Sequence, residues 1–308
     1  MSYPRDLIGY AGHPPHPQGP NQARIALSFV LNYEEGGERC ILHGDKESEA
    51  FLSEIPGALP FPNERHMSME SIYEYGSRAG VWRILALFKE HKIPLTVFAV
   101  AMAAERHPDL IRNMAEMGHE ICSHGYRWID YQKVSYHEEQ EHLKKAIEIL
   151  TSITGQRPVG WYTGRNSPNT REIVMQEGGF LYDSDAYDDD LPYWVNNQGN
   201  GHLVIPYTLD SNDMRFSTSQ GFNSGEQFYH YLKDSFDTLY AEGATAPKML
   251  SIGLHCRLVG RPGRIAALKR FIEYTKTFDQ VWYARRVDIA QHWHTHHPFK
   301  QEQTDDTV

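Results

Sequence analysis

Residues 24–36 read RIALSFVLNYEEG, a largely apolar run that closes on two adjacent carboxylates, Glu34 and Glu35, and a glycine. An apolar run of this length, stopped by charge and glycine, predicts a buried β-strand. Outward from it the chain alternates. Residues 80–91 (GVWRILALFKEH) carry Val81, Ile84, Leu85 and Phe88 at helical spacing, and residues 95–100 (LTVFAV) read as a short apolar strand. A helix follows over 108–117, with proline in its first turn and Gly118 after its end, then a strand over 119–123. Ser135-Tyr136-His137-Glu138 has the form of a capping box and opens a helix with Leu143, Ile147 and Leu150 on one face, stopped by Gly155. Further strands are expected at 159–162, 180–182, 203–205, 249–255 and 281–284, with a helix from about 262 to 277 between the last two. Roughly eight strands alternating with helices predict an α/β fold built as a parallel (β/α) barrel. The irregular segments 36–66 and 185–225 predict that the barrel is distorted.

The 308 residues are enough for one barrel domain, expected over 24–298, with an N-terminal extension at 1–23 and a polar tail at 299–308. A net charge of −10 with no concentrated basic face argues against a nucleic-acid partner. The first 21 residues, rich in Pro, Gly and His, lack the apolar run of a secretory signal or anchor. No segment approaches the roughly 18 apolar residues of a membrane span. Three widely spaced cysteines (Cys40, Cys122, Cys256) make a poor disulfide framework. The expectation is a cytoplasmic enzyme with a small-molecule substrate, no membrane partner and no cofactor.

In a parallel barrel the chemistry sits at the carboxyl ends of the strands. Glu34 and Glu35 follow the first strand, His124 follows the strand ending at Ser123, Arg165 comes after 159–162, and His255 ends 249–255. Singly, each has an ordinary solvated alternative. Together, two carboxylates and two imidazoles at one mouth suffice for general acid–base hydrolysis. Successive strand residues point to opposite faces, so only one of Glu34 and Glu35 need face the pocket, and the sequence leaves open which.

A family resemblance appears at these residues. Leu95-Thr96-Val97-Phe98-Ala99-Val100, His107-Pro108-Asp109-Leu110, Gly118-His119-Glu120-Ile121, Ser123-His124, the block 154–160 and the strand ending Leu254-His255 resemble the polysaccharide deacetylases (NodB homology) over about residues 24–290. The resemblance implies a distorted (β/α) barrel of seven or eight strands. It also implies an Asp-Asp motif, base then metal ligand, which here reads Glu34-Glu35. The second histidine of the family's metal motif falls on Trp128, which offers no lone pair, so the metal set would shrink to Glu35 and His124. Catalytic zinc normally keeps three protein ligands. Tyr162 occupies the third-block arginine position, with Arg165 close enough to stand in. The altered pattern NYEEG, SHGYRW, GWYTGR and LHCRLVGRPGR is similar to one branch, the metal-independent allantoinases. These are homotetramers that open the hydantoin ring of allantoin in purine catabolism.

That resemblance assigns Glu34 as base and His255 as the acid that protonates the leaving nitrogen. Glu35 and His124, hydrogen-bonded to each other, would fill the vacated metal site. Tyr33, Tyr126, Trp128 and Trp161 could line a pocket for a flat heterocycle, although core packing accounts for such aromatics equally well. A metal-dependent N-deacetylase would need a third ligand, for which His43 or His66 is available. A barrel that only binds a ligand would have no need of the carboxylates and His255. The acidic run Asp183, Asp185, Asp188, Asp189 and Asp190 reads as a solvated loop. The pair His292 and His296 reads as a polar helix terminus.

Overall fold

In the computed structural model, which describes residues 5–300, the strand of the decisive segment stands inside a nine-stranded sheet. The chain runs β1 (Ile25–Tyr33), α1 (Met67–Tyr75), α2 (Val81–His91), β2 (Thr96–Ala99), α3 (Ala101–Arg106), α4 (Pro108–Glu116) and β3 (Glu120–Ser123). It continues through α5 (Tyr136–Thr154), β4 (Gly160–Trp161), α6 (Thr170–Glu177), β5 (Tyr182–Asp183), β6 (Tyr193–Asn197) and β7 (Asn200–Val204). It ends with α7 (Gly225–Glu242), β8 (Lys248–His255), α8 (Pro262–Thr275), β9 (Val281–Tyr283) and α9 (Arg286–His296). The strand order is β6-β7-β5-β4-β3-β2-β1-β8, with β9 added against the first residues of β1. Every pairing is parallel except β6 with β7.

The two faces of β1 separate by parity, as the pleat requires. Ile25, Leu27, Phe29, Leu31 and Tyr33 join the cluster that includes the apolar stripes of α2, α4, α5 and α8. Val30 faces inward with Phe98, Cys122, Tyr162, Tyr182, Ile205 and Tyr207, which fill the barrel. The barrel is distorted where expected. Among the described residues no strand joins β7 to β8. Instead Ser211 and Asn212 run beside β8, with Gly253 N–H donating to the Ser211 carbonyl at 3.1 Å and a parallel bridge between Asn212 and Gly253. A side chain at 253 would meet Asn212 Nδ2 at 2.2 Å, so this seam needs glycine. Arg286, fully buried, pins the seam from below by donating to Ser184 Oγ, Ser251 Oγ and the carbonyls of Ile205 and Pro206.

The strands and helices expected from apolar periodicity are present, with ends shifted by one or two residues at most positions. Three expectations need correction. The segment 185–225 is less irregular than expected, because it holds the β6–β7 hairpin. At the start of α5 only the serine half of the capping box forms, Ser135 Oγ accepting from Glu138 N–H at 3.3 Å. The acidic run is not one solvated loop. Asp183 is buried between Arg171 and His202, and Asp185 accepts from the N–H groups of Thr163 and Gly164. Among the described residues no helix is long and apolar enough to cross a membrane.

Candidate active site

The parity that sorts β1 continues past its end and decides between the two glutamates. Asn32 and Glu34 point into the barrel mouth, where they line a cavity of about 410 Å³ with His124, Tyr162, His255, Trp128 and Arg165. That volume lies in the range of small-molecule sites, roughly 300–1,000 Å³. Neighbouring strands bring the partners level: His255 is in register with Asn32, and His124 N–H donates to the carbonyl of Ala99 at 2.9 Å. Phe51 and Leu52, from the irregular segment 36–66, and Tyr187, Leu209, Asn212 and Met214 complete much of the wall.

Glu34 is the hub. Its Oε1 lies 3.5 Å from both His124 Nε2 and His255 Nε2, and its Oε2 accepts from Arg257 Nη1 at 2.8 Å. Burial opposes its charge, but Arg257 first, then the two imidazoles, outweigh that cost and hold the carboxyl well below the usual range. His255 is fixed from behind by Asp213, whose Oδ1 stands 2.6 Å from Nδ1. Burial disfavours the imidazolium, yet Glu34 and Asp213 raise its pKa to about 9, so the ring is protonated at neutral pH. Trp128 is nearly stacked on Phe51, and the Arg165 guanidinium lies 5.0 Å from its ring centre. Arg165 also approaches Glu49, at 3.6 Å.

Glu35 points the other way. Its carboxylate packs on Gly76, where a Cβ would come within 2.1 Å of Oε1, and Oε2 accepts from Glu34 N–H at 3.1 Å. Burial lifts it to about 7, helped by Glu34 and opposed by Arg257. The expected hydrogen bond between Glu35 and His124 is therefore replaced by the approach of Glu34 to His124. Tyr33 follows Glu35 outward, its hydroxyl on Ser77 Oγ at 2.9 Å. Trp161 also lies outside the cavity, because it, the last residue of β4, and Tyr162, which follows it, point to opposite faces. Its Nε1 donates to Thr163 and its ring meets Phe180 edge-on. Tyr126 packs on His142, with its hydroxyl on Lys145. Of the substrate-binding residues expected, Trp128, Tyr162 and Arg165 line the cavity, and Tyr33 and Trp161 do not.

The positions that the resemblance gives to a metal do not fit one. Trp128 is an aromatic wall, Glu35 is turned to Gly76, and His124 alone keeps a donor in the cavity. His43 and His66 do not line it either: His43 bonds the Glu38 carbonyl and His66 stacks on Phe61. His292 and His296 stack 4.3 Å apart, and His292 Nε2 bonds the Pro17 carbonyl at 2.7 Å.

The polysaccharide deacetylase family matches residues 64–178. A Schizosaccharomyces pombe protein named "Putative polysaccharide deacetylase" is 47% identical over 96% of this chain and 98% of its own length. The chain belongs to the polysaccharide deacetylase family, a family of hydrolases. Within it, the crystal structure of PuuE allantoinase is 72% identical, with a TM-score of 0.96 over 97% of this chain and all of that one. A structure from Pseudomonas aeruginosa PAO1, described as a "probable Polysaccharide deacetylase", is 71% identical with a TM-score of 0.95 over the same shares.

Proposed function

We propose that this chain is an allantoinase, hydrolysing the hydantoin ring of allantoin to allantoate in purine catabolism without a metal ion. The observation that carries the reading is the 72% identity to PuuE allantoinase over nearly the whole chain. The cavity supports it. The flat rings of Trp128 and Tyr162 suit a planar heterocycle, and a protonated imidazole and an ionised carboxylate stand side by side on the cavity wall, 3.5 Å apart, where both can meet a bound water and carbonyl.

In this mechanism Glu34 Oε1 accepts the proton of a water as its oxygen adds to the ring carbonyl carbon. His124 polarises the carbonyl. The C–N bond breaks as His255 Nε2–H passes its proton to the leaving nitrogen, and Glu34 returns the water's proton to His255. A carboxylate held this low is a weak base at rest, but losing the imidazolium charge beside it raises its basicity, so the two transfers favour each other. A general acid or base contributes about 10²–10⁴-fold each. The reading carries with it a homotetramer and a cytoplasmic location.

The rival, a metal-dependent N-deacetylase, draws on the name of the S. pombe relative, but among the described residues no third ligand stands at the family's metal positions. Purified protein offered allantoin and an N-acetylated chitooligosaccharide in parallel should form allantoate and release no acetate. Acetate release without allantoate would overturn the reading.

A further inference from the structure

Arg257 is fully buried beyond the end of β8 and does not line the catalytic cavity. Its guanidinium lies over the ring of Tyr73 at 4.2 Å and near that of Trp128 at 5.3 Å. Nη1 reaches Glu34 Oε2 at 2.8 Å and approaches Glu35 Oε1 at 3.8 Å. Nε and Nη2 have no hydrogen-bond partner among the described residues. Burying a cation with two donors unmet is expensive, and apolar side chains of similar volume in place of the whole Arg257–Glu34 pair would cost the fold less. Stability is therefore a poor reason for an arginine here.

The geometry of the pair gives a better one. Glu34 uses one oxygen for Arg257 and the other for the two imidazoles. We propose that Arg257 is a positioning residue of the hydrolytic centre, clamping Glu34 by Oε2 so that Oε1 stands between His124 and His255. The inference rests on the ring-opening reading above and extends it to a side chain that touches no substrate. The charged and titratable groups facing Glu34 are Arg257 and His255 beyond and at the end of β8, His124 after β3, and Glu35 beside it. Asp213 stands behind His255, and Tyr73 of α1 faces the guanidinium. Of the three cationic or imidazole groups on the Glu34 carboxylate, Arg257 is the one that meets Oε2 and leaves Oε1 to the cavity.

The test uses the full chain as wild type, Arg257→Met, Arg257→Lys, Glu34→Gln and the double variant Glu34→Gln/Arg257→Met. Arg257→Met keeps the apolar packing and removes the fork, so kcat on allantoin should fall about 10²-fold while KM stays within about threefold. Arg257→Lys should recover part of that loss. In the Glu34→Gln background, removing Arg257 should cost less than about threefold more, because there is no carboxylate left to clamp. Equal losses in both backgrounds, or a raised KM with kcat intact, would overturn the proposal. Thermal unfolding reads the clamp without substrate. Arg257→Met should lower Tm by stranding a buried carboxylate, and adding Glu34→Gln should restore part of it. No recovery in the double variant would count against the clamp. If wild type fails to open allantoin, the substrate reading falls and the unfolding comparison alone judges the clamp. Should Arg257→Met not fold, Arg257→Lys in both backgrounds serves the same comparisons.

Discussion

Asp213 holds His255 at two points: Oδ1 lies 2.6 Å from the ring Nδ1, and Oδ2 accepts from the His255 backbone N–H at 2.7 Å. The same Oδ2 accepts from Val259 N–H at 2.9 Å, so the carboxylate also fixes the turn that follows β8. One side chain thus sets the ring's orientation and, with Glu34, its charge.

Asp213→Asn should move the alkaline limb of the rate profile. With His255 as the acid, activity is lost as pH rises through its pKa of about 9. Without the Asp213 charge that limb should fall towards the unperturbed value of about 6.5, and kcat/KM at pH 8 should drop at least about tenfold. A histidine raised in the folded state stabilises fully below about 6.5 and loses that contribution as pH rises through about 9. Wild-type Tm should therefore decline over that window more than the variant's. An unchanged alkaline limb in Asp213→Asn would remove Asp213 from the account.

His255→Ala and His124→Ala should each reduce turnover by about 10²-fold or more. Single-turnover kinetics on allantoin would show whether the chemical step is what slows. Near-native rates in either variant would take that imidazole out of the mechanism.

Glu34→Gln and Glu35→Gln should differ sharply, because only the first side chain faces the cavity. Glu34→Gln cannot accept the water's proton, so kcat should fall by about 10²–10⁴-fold with little change in KM. Glu35→Gln should leave turnover within about threefold. Its signature is stability. Burial raises the Glu35 pKa to about 7, so the folded state pays to ionise a group that the unfolded chain ionises near 4.5. Wild-type stability should fall as pH rises between those values, and Glu35→Gln should raise Tm above pH 7. A collapse of turnover in Glu35→Gln beside a mild Glu34→Gln would reverse the assignment.

Much of this was legible in the sequence because β1 and β8 are long apolar runs, the shorter strands are apolar too, and the chemistry sits at their ends. Glu34, His124 and His255 could be placed at one mouth from that rule alone. Parity along RIALSFVLNYEE could in principle have settled Glu34 against Glu35, had the inward face of the strand been known. The same parity excludes Tyr33 and Trp161, which proximity in sequence had suggested. Asp213 was not legible, since it lies 42 residues before His255 in an irregular stretch with no periodic signal. Arg257 carried a weak signal, a lone charge in the apolar run LHCRLVG. Its target, Glu34, is 223 residues away and becomes a neighbour only when β1 pairs with β8.

The central claim is that these side chains open a hydantoin ring without a metal. Its most direct test is the rate of allantoate formation from allantoin by protein exhaustively treated with a chelator and shown to be metal-free by elemental analysis. The account predicts a rate unchanged from that of untreated protein. Loss of activity on chelation, with recovery on adding zinc or cobalt, would contradict it.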